Sequence, residues 1–239
     1  MIDWHSHVLP GIDDGSRDVA ESISMLDTLS SQGVEIVVAT PHFYADDESM
    51  ESFLERRETS VEQLKAQLPQ GAPEIRLGAE VRYYPGISRL EGLKNLRIEG
   101  SKLLLLEMNA ARWTEYTIRE LTELSRRSGI QIVLAHVERY MNFQKKAVWE
   151  ELLDCGILMQ SNASFFTGWM TKHKAISLLR DRYIHFLGSD SHNMTSRPPQ
   201  IGDAFRTIQQ KLGEDFLDQM NGYGHRMLCA TGEPRSAAF

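Results

Sequence analysis

The chain has 239 residues, 41% of them hydrophobic and 25% charged, which is an ordinary composition for a globular protein with a full core. A single α/β barrel routinely reaches this length. The formal net charge of -7 at pH 7 argues against a nucleic-acid-binding surface, since contacts with phosphates need clustered lysine and arginine.

Two features of the sequence indicate the cellular compartment in which the protein is expected. The amino terminus lacks the basic and then apolar pattern of a signal peptide, and no apolar run approaches the roughly twenty residues that span a bilayer. The two cysteines, Cys155 and Cys229, are too few for a disulfide framework. We therefore expect a cytoplasmic protein without membrane insertion.

Apolar runs typical of β-strands alternate along the chain with amphipathic helical stretches, which indicates a mostly parallel sheet with crossover helices. Seven strands are predicted, over residues 1–4, 34–39, 74–79, 102–106, 130–135, 157–161 and 183–187. Helices are predicted over residues 19–32, 49–68, 114–128, 199–212 and 214–221, with another between the fifth and sixth strands. The charged helix over residues 49–68 is expected to face solvent. With no linker and no low-complexity segment, residues 1–239 are predicted to form one domain.

Polar residues with metal-binding side chains fall at or just past the carboxyl ends of these strands, and five of the eight histidines are among them. The nine residues are His5, His7, Asp14, His42, Glu80, Glu107, His136, Asp190 and His192. Residues i and i+2 of a strand point to the same face, so the first two histidines can approach one ion. Because the carboxyl ends of parallel barrel strands share one face, we expect the whole set to converge there.

Nine nitrogen and oxygen ligands are too many for one ion but suit two or three, with positions left for water or substrate. Since no cysteine is among them, the set favours manganese, iron, zinc or magnesium over a thiolate-bound metal. Single members have simpler interpretations. Glu107 fits a solvent-facing carboxylate, and Asp13 fits a residue that holds the turn before Gly15.

The motifs at these positions together resemble the polymerase-and-histidinol-phosphatase (PHP) superfamily over nearly the whole chain. They are His5-x-His7, Asp14-Gly15, Thr-Pro-His42, Gly-Ala-Glu80, His136-x-Glu-Arg139, Ser189-Asp190-x-His192 and Arg197-Pro-Pro199. Within it, the sequence is most similar to the bacterial protein-tyrosine phosphatases of capsule and exopolysaccharide operons. The resemblance implies a distorted (β/α)₇ barrel, up to three metals that are usually Mn²⁺, and hydrolysis of phosphotyrosine on the tail of a partner tyrosine kinase.

The resemblance also implies a role for each matching residue. The first ion would be held by His5, His7, Glu80 and Asp190, the second by Glu80, Glu107 and His136, and the third by Asp14, His42 and His192. Arg139 and Arg197 match phosphate-binding arginines and, with His42, are the catalytic candidates; a planar guanidinium can bind two phosphoryl oxygens. The loop over residues 109–116 differs from the family pattern, which leaves the substrate-facing wall less defined than the metal site.

The expected mechanism is in-line attack on phosphorus by a hydroxide that bridges the metals, without a covalent phosphoenzyme. Histidinol-phosphate phosphatase, a PHP-type nuclease and a binding module with a structural metal are the alternatives with the same ligands. A separate alternative is the segment from Cys229 to Arg235, which fits the C-x₅-R loop of cysteine-dependent phosphatases. Such a loop needs a following helix that lowers the thiol pKa, and only four residues remain after Arg235.

Overall fold

A computed structural model describes residues 1–230 as a curled, parallel β-sheet with helices packed around it. Nine strands occupy seven positions, because two positions are each divided into two short strands. The strands are β1 Ile2–Ser6, β2 Ile36–Ala39, β3 His42–Phe43, β4 Glu74–Leu77, β5 Glu80–Arg82, β6 Leu103–Glu107, β7 Gln131–Leu134, β8 Leu158–Asn162 and β9 Phe186–Gly188. Every pairing between them is parallel.

The two divided positions are β2 with β3 and β4 with β5. Pro41 lies in the first break and lacks the N–H that an uninterrupted strand would use. Gly78 lies in the second, where a Cβ atom would be 3.2 Å from the side chain of Ile98. Backbone hydrogen bonds from Gly78 to Ala39 (2.8 Å) and from Glu80 to Pro41 (2.9 Å) keep the two positions side by side. The third predicted strand, over residues 74–79, is therefore interrupted, and the short strand β3 was not predicted.

The first and last strand positions meet just beyond β1 and β9. The His7 backbone nitrogen donates to the Ser191 carbonyl over 2.9 Å, and the Asp190 nitrogen donates to the His5 carbonyl over 2.8 Å. Ser6 and Ser191 form an isolated parallel bridge at the same place. The predicted distorted (β/α)₇ barrel is thus confirmed, with this seam bringing its first and last strands together.

Eight α-helices lie between or after the strands of the described part of the chain. They are α1 Val19–Ser31, α2 Met50–Lys65, α3 Glu115–Ser125, α4 Lys146–Asp154, α5 Ser164–Thr167, α6 Lys172–Arg180, α7 Gly202–Leu212 and α8 Glu214–Leu228. Side chains of Asp18, Ser49 and Thr114 cap α1, α2 and α3 by accepting a backbone N–H of the first turn. Within residues 1–230, no helix is both long enough and apolar enough to cross a bilayer.

Alternate strand residues pack into two apolar clusters, one on each side of the sheet. Leu103 and Leu105 belong to the inner cluster, whereas Leu104 and Leu106 belong to the outer cluster against the helices. Strands buried on both faces explain the uninterrupted apolar runs in the sequence. Tyr223 of α8 is also in the inner cluster, so this helix covers the sheet next to the amino-terminal ends of the strands.

Candidate metal centre

The structure brings all nine predicted metal ligands together at the carboxyl ends of the strands, with Glu80 at the centre. The Glu80 carboxylate is 1% exposed; its Oε1 lies 2.8 Å from His136 Nε2, and its Oε2 lies 3.0 Å from His42 Nδ1 and 3.2 Å from His5 Nε2. His136 Nε2 also lies 3.5 Å from Glu107 Oε1. One buried carboxylate therefore contacts histidines from three strand positions.

The ligand atoms fall into four groups in which every atom lies within 4.8 Å of the others. The groups are His7, Asp14, His42 and His192; His5, His7 and Asp190; His5, Glu80 and His136; and His42, Glu80 and Glu107. Each predicted ligand belongs to at least one group, and several belong to two. The groups overlap as the ligand sets of neighbouring ions do.

Four histidines of the cluster direct Nε2 inward because their Nδ1 atoms are hydrogen-bonded to acceptors outside it. His5 Nδ1 lies 3.3 Å from Gln160 Oε1, and His7 Nδ1 lies 2.8 Å from Asp13 Oδ2. His192 Nδ1 lies 3.0 Å from the Asp190 carbonyl oxygen. A carbonyl or carboxylate oxygen can only accept, so each of these Nδ1 atoms is the donor and each Nε2 lone pair points into the cluster.

Tyr140 orients the ring of His136 in the same way. The tyrosine hydroxyl donates to the Ala135 carbonyl over 2.6 Å, so its oxygen accepts from His136 Nδ1 at 2.8 Å. Burial raises the pKa of Tyr140 well above its usual range, which keeps this donor protonated. Residues that hold the second ring nitrogen in this way orient the ring and strengthen the ligand.

These inward atoms fit a cation. His5 Nε2 and His7 Nε2 are only 3.2 Å apart, which places two lone pairs face to face. His192 Nε2 is buried and has no hydrogen-bond partner within the described residues. Buried polar atoms normally have partners, so this arrangement of imidazole nitrogens and carboxylate oxygens matches the ligand chemistry of Zn²⁺, Mn²⁺ or Fe²⁺.

The electrostatics of the site also favour positive charge. Burial alone would lower the pKa of His7, but the adjacent carboxylates of Asp13 and Glu80 outweigh burial and raise that pKa to about 10, so the site stabilises a positive charge at this position. Burial would raise the pKa of Glu80, yet the surrounding histidines His5, His136 and His42 hold it well below its usual range. The cluster therefore keeps its carboxylates ionised and attracts cations.

Backbone conformation at the site is unusual at two ligands. His136 has a φ of 30° and Asp190 a φ of 52°, and each lies two residues after the last residue of a strand. Positive φ is uncommon for residues other than glycine, and strained positions of this kind concentrate at functional sites. A left-handed residue here turns the chain sharply and directs the side chain back over the strand ends.

Two glycines allow the backbone to approach the ligands closely. A Cβ atom on Gly188 would lie 2.5 Å from His5 Cβ, and one on Gly15 would lie 2.5 Å from His7 Cβ. Any side chain at either position would displace the adjacent histidine. This explains why glycine follows Asp14 and Leu187.

Both predicted phosphate-binding arginines lie at the cluster. Arg139 donates to Asp190 Oδ2, and Arg197 Nη2 donates to Asp190 Oδ1 over 3.0 Å. Each side chain is 41% exposed, so part of each guanidinium faces solvent. Glu138, the acidic residue next to Arg139 in the chain, accepts from Ser161 Oγ at 2.8 Å.

Some residues of the site were missed in the sequence. Asp13 does accept from the Gly15 nitrogen, as expected for a turn, but it also holds His7 and the backbone nitrogen of His42 (2.9 Å). Gln160 Oε1 accepts from the His136 nitrogen at 2.7 Å, and Asn162 Nδ2 donates to Asp190 Oδ2 at 2.8 Å. Gln160 and Asn162 could have been recognised as two amide side chains spaced i, i+2 in a buried strand, where polar side chains need partners.

Of two other predicted features, one lies beside the cluster and the other does not. The loop over residues 109–116 packs against Tyr140, since Trp113 is 7% exposed and its ring centroid lies 5.6 Å from that of Tyr140. Cys229 is exposed at the carboxyl end of α8, near the amino-terminal ends of the strands. Arg235, the other member of the C-x₅-R segment, lies outside the described residues.

Comparisons with known proteins agree with this geometry. Residues 1–225 match the family model described as capsular polysaccharide synthesis, CpsB/CapC. The tyrosine-protein phosphatase CpsB of Streptococcus pneumoniae is 33% identical over 234 residues, which cover 89% of this chain and 91% of the relative. The tyrosine-protein phosphatase YwqE of Bacillus subtilis is 28% identical, with 90% of this chain and 87% of the relative covered.

A solved structure shows the same fold. It comes from the crystallographic work on YwqE from Bacillus subtilis and CpsB from Streptococcus pneumoniae, described as unique metal-dependent tyrosine phosphatases. The TM-score is 0.82 at 23% identity, with 100% of both chains covered.

Proposed function

Because the chain belongs to the CpsB/CapC family of capsular polysaccharide synthesis, we propose that it is a metal-dependent protein-tyrosine phosphatase. Its substrate would be phosphotyrosine on the tail of a partner tyrosine kinase that controls capsular or exopolysaccharide synthesis, and both proteins would act in the cytoplasm. The observation that carries this proposal is the convergence of four inward-facing Nε2 atoms and several carboxylates with two half-exposed arginines at one face.

The proposed cofactor is two or three Mn²⁺ ions. One ion would be held by His5, His7, Glu80 and Asp190, one by Glu80, Glu107 and His136, and one by Asp14, His42 and His192. The third set lies within one observed group of ligand atoms, and His5, His7 and Asp190 of the first set form another. For the second set, His136 Nε2 lies 2.8 Å from Glu80 and 3.5 Å from Glu107. When bound, the ions would polarise phosphoryl oxygens and lower the pKa of water.

The chain's own groups would position the phosphate. Arg139 and Arg197 approach from opposite oxygens of Asp190, which leaves the remaining N–H donors of each guanidinium for phosphoryl oxygens. Charge-assisted contacts of this kind stabilise the charge that develops on the equatorial oxygens. A tyrosinate leaving group has a parent pKa of about 10, so its protonation matters less than that of an alkoxide.

The experiment that tests the proposal is a substrate panel assayed with Mn²⁺. It consists of a phosphotyrosine peptide, histidinol phosphate and single-stranded DNA. We expect hydrolysis of the peptide at the highest kcat/KM. Preferred hydrolysis of histidinol phosphate or DNA would instead identify another phosphoesterase of the PHP type, and activity on none would leave a structural metal module.

Two variants separate the metal centre from the cysteine alternative. His136→Ala removes a ligand and should abolish most activity on the phosphotyrosine peptide. Cys229→Ser should retain it, because the thiol is exposed at the end of α8 and distant from the cluster in the fold. The reverse order would support the C-x₅-R segment.

A further inference from the structure

The large apolar side chains that are exposed within residues 1–230 all lie between residues 116 and 194. They are Tyr116, Phe143, Trp169, Met170 and Met194, with exposures of 44%, 46%, 85%, 84% and 37%. Each lies in a segment that follows one of the strands β6 to β9, whose carboxyl ends carry residues of the metal centre. Soluble proteins rarely leave such side chains grouped in water unless the group binds a partner.

Trp169 and Met170 are held out by a well-ordered turn between α5 and α6. The backbone nitrogens of Thr171 and Lys172 both donate to the Gly168 carbonyl, at 3.1 and 3.0 Å. Thr171 Oγ1 donates to the Phe165 carbonyl over 2.8 Å. A fixed turn that presents two apolar side chains is pre-organised for binding, since less conformational entropy is lost on contact.

This turn is joined to the loop after β7. Lys174 Nζ donates to Asn142 Oδ1 over 3.4 Å, and Asn142 is followed directly by the exposed Phe143. The Phe143 nitrogen donates to the carbonyl of Tyr140, the residue that orients His136. Phe143, Trp169 and Met170, with Lys145 of the first loop and Lys172 and Lys174 at the start of α6, are called the β7–β8 surface below. Phe143 connects this surface to the metal centre through Tyr140.

The charge around the site is uneven. Residues 139–149 and 155–180 contain no aspartate or glutamate, although the chain has 33 acidic residues. Lys145, Lys172 and Lys174 lie in these two segments. On the loop after β3, by contrast, Asp46, Asp47 and Glu48 form an acidic run. An acidic segment is therefore attracted to the β7–β8 surface and repelled by the β3 side.

We propose that the β7–β8 surface is the docking site for the polypeptide segment that carries the phosphotyrosine, an extended segment with acidic and apolar residues beside it. Trp169, Met170 and Phe143 contact its apolar side chains, and the lysines pair with its acidic ones. The proposal rests on the proposed function and adds where and by what chemistry the substrate chain is bound.

Tryptophan fluorescence tests the docking without catalysis. Trp4, Trp113 and Trp149 are 5%, 7% and 6% exposed, so Trp169 is the tryptophan that acrylamide can quench efficiently. The probe is a peptide with phosphonomethyl-phenylalanine in place of phosphotyrosine and Asp, Glu and Leu beside it. Bound peptide should protect the quenchable component, and Trp169→Phe should remove that component. A peptide that inhibits hydrolysis fully but leaves quenching unchanged would overturn the proposal.

Kinetics provide the second measurement. The substrates are p-nitrophenyl phosphate, an acidic and apolar phosphotyrosine peptide, and the same peptide with glycine and serine flanks. The double variants Trp169→Ala/Met170→Ala and Lys172→Glu/Lys174→Glu should lower kcat/KM at least about tenfold on the first peptide, as interface anchors do. Activity on p-nitrophenyl phosphate should stay unchanged, and Lys211→Glu, on the exposed end of α7, is the matched control.

The outcomes separate the two proposals. A wild-type enzyme that hydrolyses p-nitrophenyl phosphate but neither peptide would contradict the assignment as a protein-tyrosine phosphatase, while quenching would still decide the docking. Equal losses on all three substrates, or no loss on the acidic peptide, would overturn the docking site. Burial of Trp169 that depends on protein concentration without peptide would assign the surface to a second copy of the chain and overturn it as well.

Discussion

Arg197 Nη2 lies 3.0 Å from Asp190 Oδ1, which places a proposed phosphate contact directly on a proposed metal ligand. Arg139 donates to the other oxygen of the same carboxylate. Burial opposes ionisation of Asp190, but the neighbouring His5 and His7 keep its pKa well below the usual range. The ionised carboxylate thus orients both guanidiniums, and the position of the phosphate depends on the position of the metal ligand.

Removing either arginine should slow the reaction without emptying the site. Arg139→Ala and Arg197→Ala each delete a charge-assisted contact of about 1.5–3 kcal/mol, so we expect kcat/KM on a phosphotyrosine peptide to fall about ten- to a hundredfold. Lysine should restore activity only in part, because it offers a point charge rather than a planar fork. Metal content, measured by atomic emission, should stay unchanged.

The control for these variants is Arg206→Ala, which removes an exposed guanidinium on α7 that pairs with Asp203. A wild-type kcat/KM in Arg139→Ala or Arg197→Ala, or a loss of bound metal, would contradict the role of that residue.

Chelation should abolish activity, and added Mn²⁺ should restore it better than Ca²⁺. Imidazole nitrogens are poor ligands for Ca²⁺, which prefers oxygen. Since the metal binds the folded chain, Mn²⁺ at a hundred times its Kd should raise the free energy of unfolding by about 2.7 kcal/mol per site, measured by urea denaturation. Full activity after exhaustive dialysis against chelator would refute metal dependence.

Tyr140→Phe should weaken metal binding while it preserves the packing of the ring. The hydroxyl is the acceptor for His136 Nδ1, and substitution leaves that buried donor without its partner. Loss of such an outer contact typically lowers metal affinity about 10- to 100-fold. Isothermal titration with Mn²⁺ measures the change, and Tyr183→Phe, whose hydroxyl makes an exposed contact with Glu150, is the control. Unchanged affinity would show that the ring is oriented by packing alone.

His185 should make stability depend on pH, independently of the metal centre. Burial lowers its pKa to about 4, and its Nδ1 accepts the Met159 backbone N–H over 3.2 Å. The unfolded chain, with a histidine pKa of about 6.5, binds this proton more tightly than the folded chain does. The contribution of His185 to the free energy of unfolding is therefore fully present above a pH of about 6.5. It is lost as the pH drops toward 4, and the loss is on the order of 3 kcal/mol.

Urea unfolding of wild type and His185→Asn between pH 4.5 and 8 measures this contribution, because the asparagine oxygen can replace Nδ1 as acceptor. The difference between the two proteins should grow in favour of the variant as the pH falls. His173→Asn, on the exposed surface of α6, should show no such difference. Parallel curves for wild type and His185→Asn would contradict the assignment.

The sequence predicted the order and direction of the strands because buried parallel strands are apolar throughout and end at recognisable turns. It did not predict the positions at which a strand is interrupted or a helix ends, because tertiary contacts determine those positions. Helix α8 was expected to end at residue 221, but it continues through Gly222 and Gly224 to Leu228. A Cβ atom at Gly224 would lie 3.0 Å from Trp4, so glycine allows α8 to pack directly on β1, which offsets its low helix propensity.

The nine ligands were identifiable because their residue types are unusual at the ends of apolar strands. The residues that orient these ligands by hydrogen bonds were not identifiable, because their role depends on a partner that is distant in the sequence or that only the fold brings within hydrogen-bonding distance. Tyr140 follows a short 3₁₀ helix, Val137–Arg139, and reads as an ordinary core aromatic. Only the fold shows that its hydroxyl lies 2.8 Å from a histidine four residues earlier.

The seam between β1 and β9 has a consequence for synthesis on the ribosome. Ligands from the first seven residues acquire their neighbours Asp190 and His192 only after more than 180 further residues have been made. A nascent chain that stops before Asp190 lacks the seam and part of two ligand groups, so we expect it to hold metal weakly and to hydrolyse no phosphotyrosine. Stalled chains of increasing length, assayed for bound Mn²⁺, should therefore gain metal in a late step, once residue 192 has left the exit tunnel.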